Sequence, residues 1–184
     1  MWEINQSGKD MKTMTSYQSL ETYRSKTQKA EIQKTIEAAK RLGKRYYALT
    51  ERPLGVTGEI AEYEAFRLLK LEPAPPRQLG YDAIRRSKSG RAIRLQIKSR
   101  CYDREPGQRM PPINLKKPWD RVLLVILNRD LNPVEILDAP RSKVERTLKK
   151  TRSKARKRGA LAVAQFRGIA KPLWRLHPIS HAQM

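Results

Sequence analysis

The stretch Leu95-Gln96-Ile97-Lys98-Ser99-Arg100 carries an amide oxygen and an ammonium two residues apart. In a β-strand alternate side chains share a face, so Gln96 and Lys98 project together with Arg94, while Ile93, Leu95 and Ile97 turn to the core. Upstream, Gly80-Tyr81-Asp82-Ala83-Ile84 begins a second strand, and Ser87-Lys88-Ser89-Gly90 between the two reads as a hairpin turn. Antiparallel pairing about a turn centred on 88–89 sets Asp82 nearly opposite Gln96. An acid, an amide oxygen and an amine on one patch suit a hard divalent cation. Mg²⁺ takes oxygen ligands and keeps water, and a neighbouring ammonium can orient the water that attacks an ester.

A further acid comes from the helix-forming run Gly58-Glu59-Ile60-Ala61-Glu62-Tyr63-Glu64-Ala65-Phe66-Arg67-Leu68-Leu69. At about 100° per residue, Ala61, Ala65, Phe66, Leu68 and Leu69 share one arc, which also holds Glu62; Glu59 lies at its edge or outside. A core-facing acid is costly unless neutralised, so Glu62 is the preferred helix acid and Glu59 the second. Glu59 also has a purely structural reading: with Thr57 as N-cap, an acid in the first turn is stabilised by the helix dipole.

These residues resemble the PD-(D/E)xK nucleases, the restriction-endonuclease-like superfamily, in the Holliday-junction-resolvase and Mrr-like variants. A helical Glu, then Gly80-Tyr81-Asp82, then Gln96-Ile97-Lys98 follow that order over about residues 55–138. The resemblance implies a metal-dependent DNA endonuclease with Mg²⁺ or Mn²⁺. Asp82, Gln96 and Glu62 would be ligands, Lys98 would position the water, and Glu62 or Glu59 would complete the site. Gln96 stands where the family carries an acid, which removes one negative charge. A non-catalytic DNA-binding protein on a degenerate nuclease fold is therefore the alternative. The family also implies a possible homodimer.

The elements that must position these groups give an α/β expectation. Residues 1–50 read as a helical N-terminal arm, with Ile32, Ile36, Ala39 and Leu42 forming one amphipathic helix that ends near Gly43. Residues 51–140 hold a core of one helix and a mixed sheet of about four to five strands, in the order helix, strand, strand, with Pro73, Pro75 and Pro76 breaking the helix before the first strand. Residues 141–184 read as a basic helical extension.

Composition supports a polyanionic partner. Against 18 Asp and Glu stand 40 Lys and Arg, a formal net charge of +22. Nucleic acid leads, with Arg94, Arg100, Lys116, Lys117, Lys149, Lys150, Arg152, Lys154, Arg156, Lys157 and Arg158 as candidate contacts. DNA is the preferred partner; a small basic RNA-associated protein is the reading supported by charge alone. No apolar run is long enough to cross a bilayer and the single cysteine, Cys101, fits a reducing compartment, so no membrane and a cytoplasmic, nucleic-acid-associated location are expected. Trp119 reads as a core aromatic before a base platform. His177 and His181 have zinc-like spacing but lack a third ligand.

Overall fold

The computed structural model describes residues 7–101, 107–150 and 153–176, with side chains from residue 26 onward. Arg152, His177 and His181 lie outside the described residues. The chain divides into two compact units, Met1–Ala39 and Lys40–Met184. The first is helical from Ser7, and residues 26–35 within it are exposed and carry a Lys34–Glu31 ion pair. Helix α1 runs Ser7–Thr50. It does not stop near Gly43, which lies inside the helix with Leu131 Cδ1 2.9 Å from where a Cβ would be.

The second unit is α/β. Helix α2 (Thr57–Leu69) follows α1, with Val56 rather than Thr57 at the N-cap and no side-chain cap hydrogen bond. Six strands then form one mixed sheet in sequence order: β1 (Glu72–Pro73), β2 (Ala83–Arg86), β3 (Ala92–Cys101), β4 (Arg121–Leu127), β5 (Pro133–Pro140) and β6 (Lys171–Arg175). Helices α3 (Arg141–Lys149), α4 (Lys154–Lys157) and α5 (Val163–Arg167) lie between β5 and β6. The short β1 places one more strand between helix and hairpin than the sequence implied. It pairs Glu72 with Ile84 and Pro73 with Ala83 on an edge, where proline's missing N–H costs least.

The β2–β3 hairpin has the register the sequence implies, Ala83 opposite Leu95 and Arg86 opposite Ala92. Its turn is closed by the Gly90 N–H donating to the Ser87 carbonyl at 2.9 Å, with Gly90 at φ +79°. Strands β3 and β4 are parallel, whereas all other neighbours are antiparallel. A parallel pair needs a crossover. The described part of that connection carries Met110, Ile113 and Trp119 into a core with Val122, Leu124 and Ile126 of β4, Val144 and Leu148 of α3, and Phe166 of α5. Leu95, Ile97, Leu123, Val125 and Ile136 alternate to the opposite face, where α2 lies against β3 with Ile60, Ala61 and Ala65 buried.

Two consequences follow for β3 and for the chain beyond β5. Because both faces of β3 are covered, Gln96 is buried along with Leu95 and Ile97, instead of lying on an open polar surface. Residues after 140, expected as a basic helical extension, supply Val144, Leu148, Val163 and Phe166 to the core and add β6 to the sheet beside β5. Among the described residues, no helix is long and apolar enough to cross a membrane.

Candidate active site

Strand β2 pairs with β3 only from Ala83–Leu95 outward. The chain enters β2 through Gly80, at φ +97°, where a Cβ would sit 2.7 Å from Lys117 Cβ and 2.9 Å from Pro118 Cδ, so this approach requires glycine. Tyr81 packs toward the core beneath the crossover. The Asp82 N–H donates to the Leu95 carbonyl at 2.8 Å, and the Ile97 N–H donates to Asp82 Oδ2 at 2.7 Å. A carboxylate thus replaces the next rung of the ladder, and the β3 residues beyond it have no β2 neighbour. That gap is where the acids collect.

Glu62 of α2 is half-buried and within electrostatic range of Asp82, Glu59 and Lys98. Burial, then the charges of Asp82 and Glu59, push its carboxyl up to about 7, against the opposing pull of Lys98. Asp82 is also raised, by burial, with the Ile97 N–H and Lys98 acting the other way. Both acids therefore sit in surroundings that disfavour their negative charge. Such a cluster gains from a cation beyond Lys98.

The amide is the third component. Gln96 is 7% exposed; its Nε2 donates to the Gly80 carbonyl at 3.3 Å, while its Oε1 is buried and has no hydrogen-bond partner. Buried acceptors are rarely left so. Two more orphaned atoms lie near the same strand. One is Nε of Arg100, and the other is Oε1 of Gln108, whose Nε2 donates to the Cys101 carbonyl.

Glu59 is exposed and touches the cluster through its charge on Glu62. The acid that sequence reasoning missed is Glu64. It is the most buried of the helix acids, at 1% exposure, and is held by Lys40 Nζ at 2.6 Å and by Arg67, whose Nη2 lies 2.7 Å from Oε2. Lys40 also donates to Asn132 Oδ1. Phe66, Leu68 and Leu69, expected within the apolar arc, are only partly buried, and the core-facing stripe runs through Ile60, Ala61, Glu64 and Ala65. Ala61 and Ala65 belong to the expected arc, whereas Glu64, a charged residue, escapes a hydrophobicity count.

Of the candidate nucleic-acid contacts, Arg94 is engaged by Asp120, with its Nη2 2.9 Å from Oδ1 and its Nε 3.0 Å from Oδ2. Arg156 donates to the Thr147 carbonyl. Lys116, Lys149, Lys150, Lys154, Lys157 and Arg158 are exposed, and Lys117 is partly so. Trp119 is fully buried, donates Nε1–H to the Asn114 carbonyl and carries the Arg141 guanidinium 4.6 Å above its ring.

Among the described residues, no three of His, Cys, Asp and Glu are grouped so as to hold a metal ion. Any cation at the gap would need an amide ligand beside two carboxylates, and the orphaned Gln96 Oε1 has that character. Searches against family models and against curated proteins found no match for the chain.

Proposed function

We propose that the protein is a metal-dependent DNA endonuclease of the PD-(D/E)xK type, with its site at the gap between β2 and β3. The observation that carries this reading is the mutual electrostatic range of Glu62, Asp82 and Lys98, both carboxyls raised, together with the buried and unpartnered amide oxygen of Gln96 on the same strand as Lys98. Asp82, Glu62 and Gln96 Oε1 would hold Mg²⁺ or Mn²⁺. When bound, the cation supplies charge neutralisation and Lewis acidity at the scissile phosphate.

The chain's own residues supply the rest. Lys98 orients the attacking water by hydrogen bonding and stabilises negative charge growing on the phosphate. Asp82 is fixed by the Ile97 N–H, so one carboxylate oxygen is committed to the backbone and the other is left for the site. Glu62, with its carboxyl near neutrality, exchanges a proton with water readily at physiological pH. The net charge of +22 supplies affinity for the phosphate backbone independent of sequence.

The neutral Gln96, and the lack of a third grouped acid among the described residues, favour as a second reading a DNA-binding protein that has lost cleavage. Incubating the protein with plasmid, linear and branched DNA in Mg²⁺, Mn²⁺ or EDTA separates the two. Cleavage that needs the metal and disappears in Asp82→Ala supports the endonuclease. No cleavage and no metal binding in the parent, together with a large gain in Gln96→Glu, establishes the non-catalytic reading. Preference for RNA without metal-dependent cutting overturns both.

A further inference from the structure

Within the Lys40–Met184 unit, the described residues form a cavity of about 100 Å³. It lies between the last turns of α1, the loop leading into α2, the end of β3 and the β4–β5 turn. Tyr47, Pro53, Leu54 and Leu131 give it apolar walls, and the exposed cations Lys44 and Arg129 stand at its rim.

The turn keeps one of those walls in place. Leu131 has φ +59°, a left-handed conformation that a bulky residue rarely adopts. Asn128 holds it there: its carbonyl accepts the Leu131 N–H at 3.0 Å, and its Oδ1 accepts the N–H groups of Asp130 and Asn132 at 3.0 and 2.9 Å. An apolar side chain thus stands against the cavity at a position that ordinarily favours glycine or asparagine. Tyr47 has the opposite character, lining the cavity with 51% of its surface exposed. Its neighbour Tyr46, about 100° round the helix, is not part of the wall.

A half-exposed aromatic ring over apolar walls is completed by a flat apolar body. The surrounding charge says what that body carries. Residues 41–52 and 128–131 expose Arg41, Lys44, Arg45, Arg52 and Arg129 against Glu51 and Asp130, five cations to two acids, with Lys44 paired to Asp130. A nucleobase on its phosphodiester strand combines both properties, since the base stacks on the aromatic ring while the phosphates meet the cations. The base must be unpaired, because in a duplex its faces and edge are already occupied. Size narrows the choice further. An enclosed apolar cavity of about 150 Å³ holds one benzene ring, so a smaller one open on one side takes a single ring with an edge outside, and not the fused rings of a purine.

We infer that this cavity holds an unpaired pyrimidine of a DNA strand, stacked on Tyr47, with the strand's phosphates against the cations at its rim. The inference rests on DNA as the proposed partner, but uses neither the Glu62–Asp82–Lys98 cluster nor cleavage. It gives the protein a preference for DNA with single-stranded segments.

The test compares strands of equal charge, so that contacts to phosphate cancel. Affinities of the full chain for decathymidylate, for a ten-unit abasic strand and for decaadenylate are measured by fluorescence anisotropy in EDTA. The parent should prefer decathymidylate to the abasic strand by roughly 5- to 150-fold, the range of one base stacked on an aromatic side chain, and should bind decaadenylate more weakly than decathymidylate. Tyr47→Ala should lower the thymidine-over-abasic preference by at least about 5-fold. Tyr47→Phe should retain it, because the ring remains, and Tyr46→Ala should leave it unchanged. Should Tyr47→Ala fail to fold, Tyr47→Leu, which keeps an apolar side chain without a ring, takes its place.

A parent that binds the abasic strand as well as decathymidylate overturns the inference, and is the result expected if the cavity instead takes an aromatic side chain of an acidic protein. A preference undiminished in Tyr47→Ala or Tyr47→Leu, or lost equally in Tyr46→Ala, overturns it too. So does equal binding of decaadenylate, and so does tighter Tyr47-dependent binding of decauridylate, which would assign the cavity to RNA. A parent that never cleaves DNA but shows the Tyr47-dependent preference keeps this inference and removes the endonuclease reading. Metal-dependent cleavage without that preference does the reverse.

Discussion

Two acids on α2, Glu62 and Glu64, lie two residues apart and meet opposite fates. Glu64 is more deeply buried, yet each of its oxygens has a cation, from Lys40 and Arg67, and Lys40 is itself tied to Asn132. Glu62 is only half-buried, yet it faces Asp82 and Glu59 with Lys98 as the cation opposing them, and its carboxyl is pushed up to about 7. Burial depth alone therefore does not identify a reactive acid. What matters is whether the fold supplies the compensating charge. At Glu64 it does, and the result ties the end of α1 to α2 and to the β4–β5 turn. At Glu62 it does not, which leaves a place for something brought from solution.

This contrast can be broken by mutation, and stability gives the largest signals. Glu64→Ala breaks the buried ion pair with Lys40 and should cost about 3–5 kcal/mol, whereas Glu62→Ala should cost little or even stabilise. Urea titrations of both variants decide the matter, and equal losses would erase the distinction between the two acids. Ile97→Asp, which puts a charge opposite Leu123 in the buried sheet, should likewise lose several kcal/mol, while Arg94→Ala forfeits only a partly exposed pair with Asp120 and should lose about 1 kcal/mol or less.

Activity separates the members of the Glu62 cluster from one another. Asp82→Ala should abolish both cleavage and calorimetric metal binding. Lys98→Ala should lower cleavage by about 10²-fold while metal binding persists or strengthens, since a competing positive charge has gone. Both variants should still bind DNA through the remaining basic surface.

A smaller effect comes from pH. Glu62 titrates near 7 in the folded chain and at its ordinary value of 4.5 when unperturbed, so between those values the native state holds the extra proton. Its contribution to stability is therefore most favourable below about pH 4.5 and is lost as pH rises through 7. Asp82, raised as well, acts in the same sense. Relative to the parent, Glu62→Gln should melt at a higher temperature at pH 8 and at nearly the same temperature at pH 4. Mg²⁺ should raise the parent's Tm more at pH 8 than at pH 5, because it binds the ionised acids. A metal effect independent of pH would count against these carboxylates as ligands.

The smallest effect concerns the basic surface. Replacing Lys149, Lys150, Lys154 and Lys157 with Gln should flatten the dependence of log K on log salt by up to about 0.9 for each phosphate that is no longer neutralised. An unchanged slope would clear these residues of any part in DNA binding.

Much of this arrangement is legible without coordinates. The alternation of Ile93, Leu95 and Ile97 with Arg94, Gln96 and Lys98, and the Ser87–Gly90 turn, determine the β2–β3 register, because strand period and turn position leave no other pairing. That register carries Asp82 to the start of β2, and the position of Glu62 three residues from Glu59 on a helix follows from helical pitch. The polycationic composition needs no structure at all.

Other features depend on partners that local sequence does not reveal. Glu64 is a structural acid because Lys40, 24 residues away, and Asn132, 92 residues from Lys40, are folded against it, and neither spacing leaves a periodic signal. Gly43 lies inside a helix that continues to Thr50, against Leu131, a neighbour 88 residues away. Gln96 is buried because the parallel β3–β4 crossover covers its face, and β6 joins the sheet because Val144, Leu148 and Phe166 bring the chain back across the core. Periodicity and turn chemistry are short-range properties and can be read along the chain. Charge compensation and desolvation depend on which distant segments meet, and here the tertiary structure alone decided them.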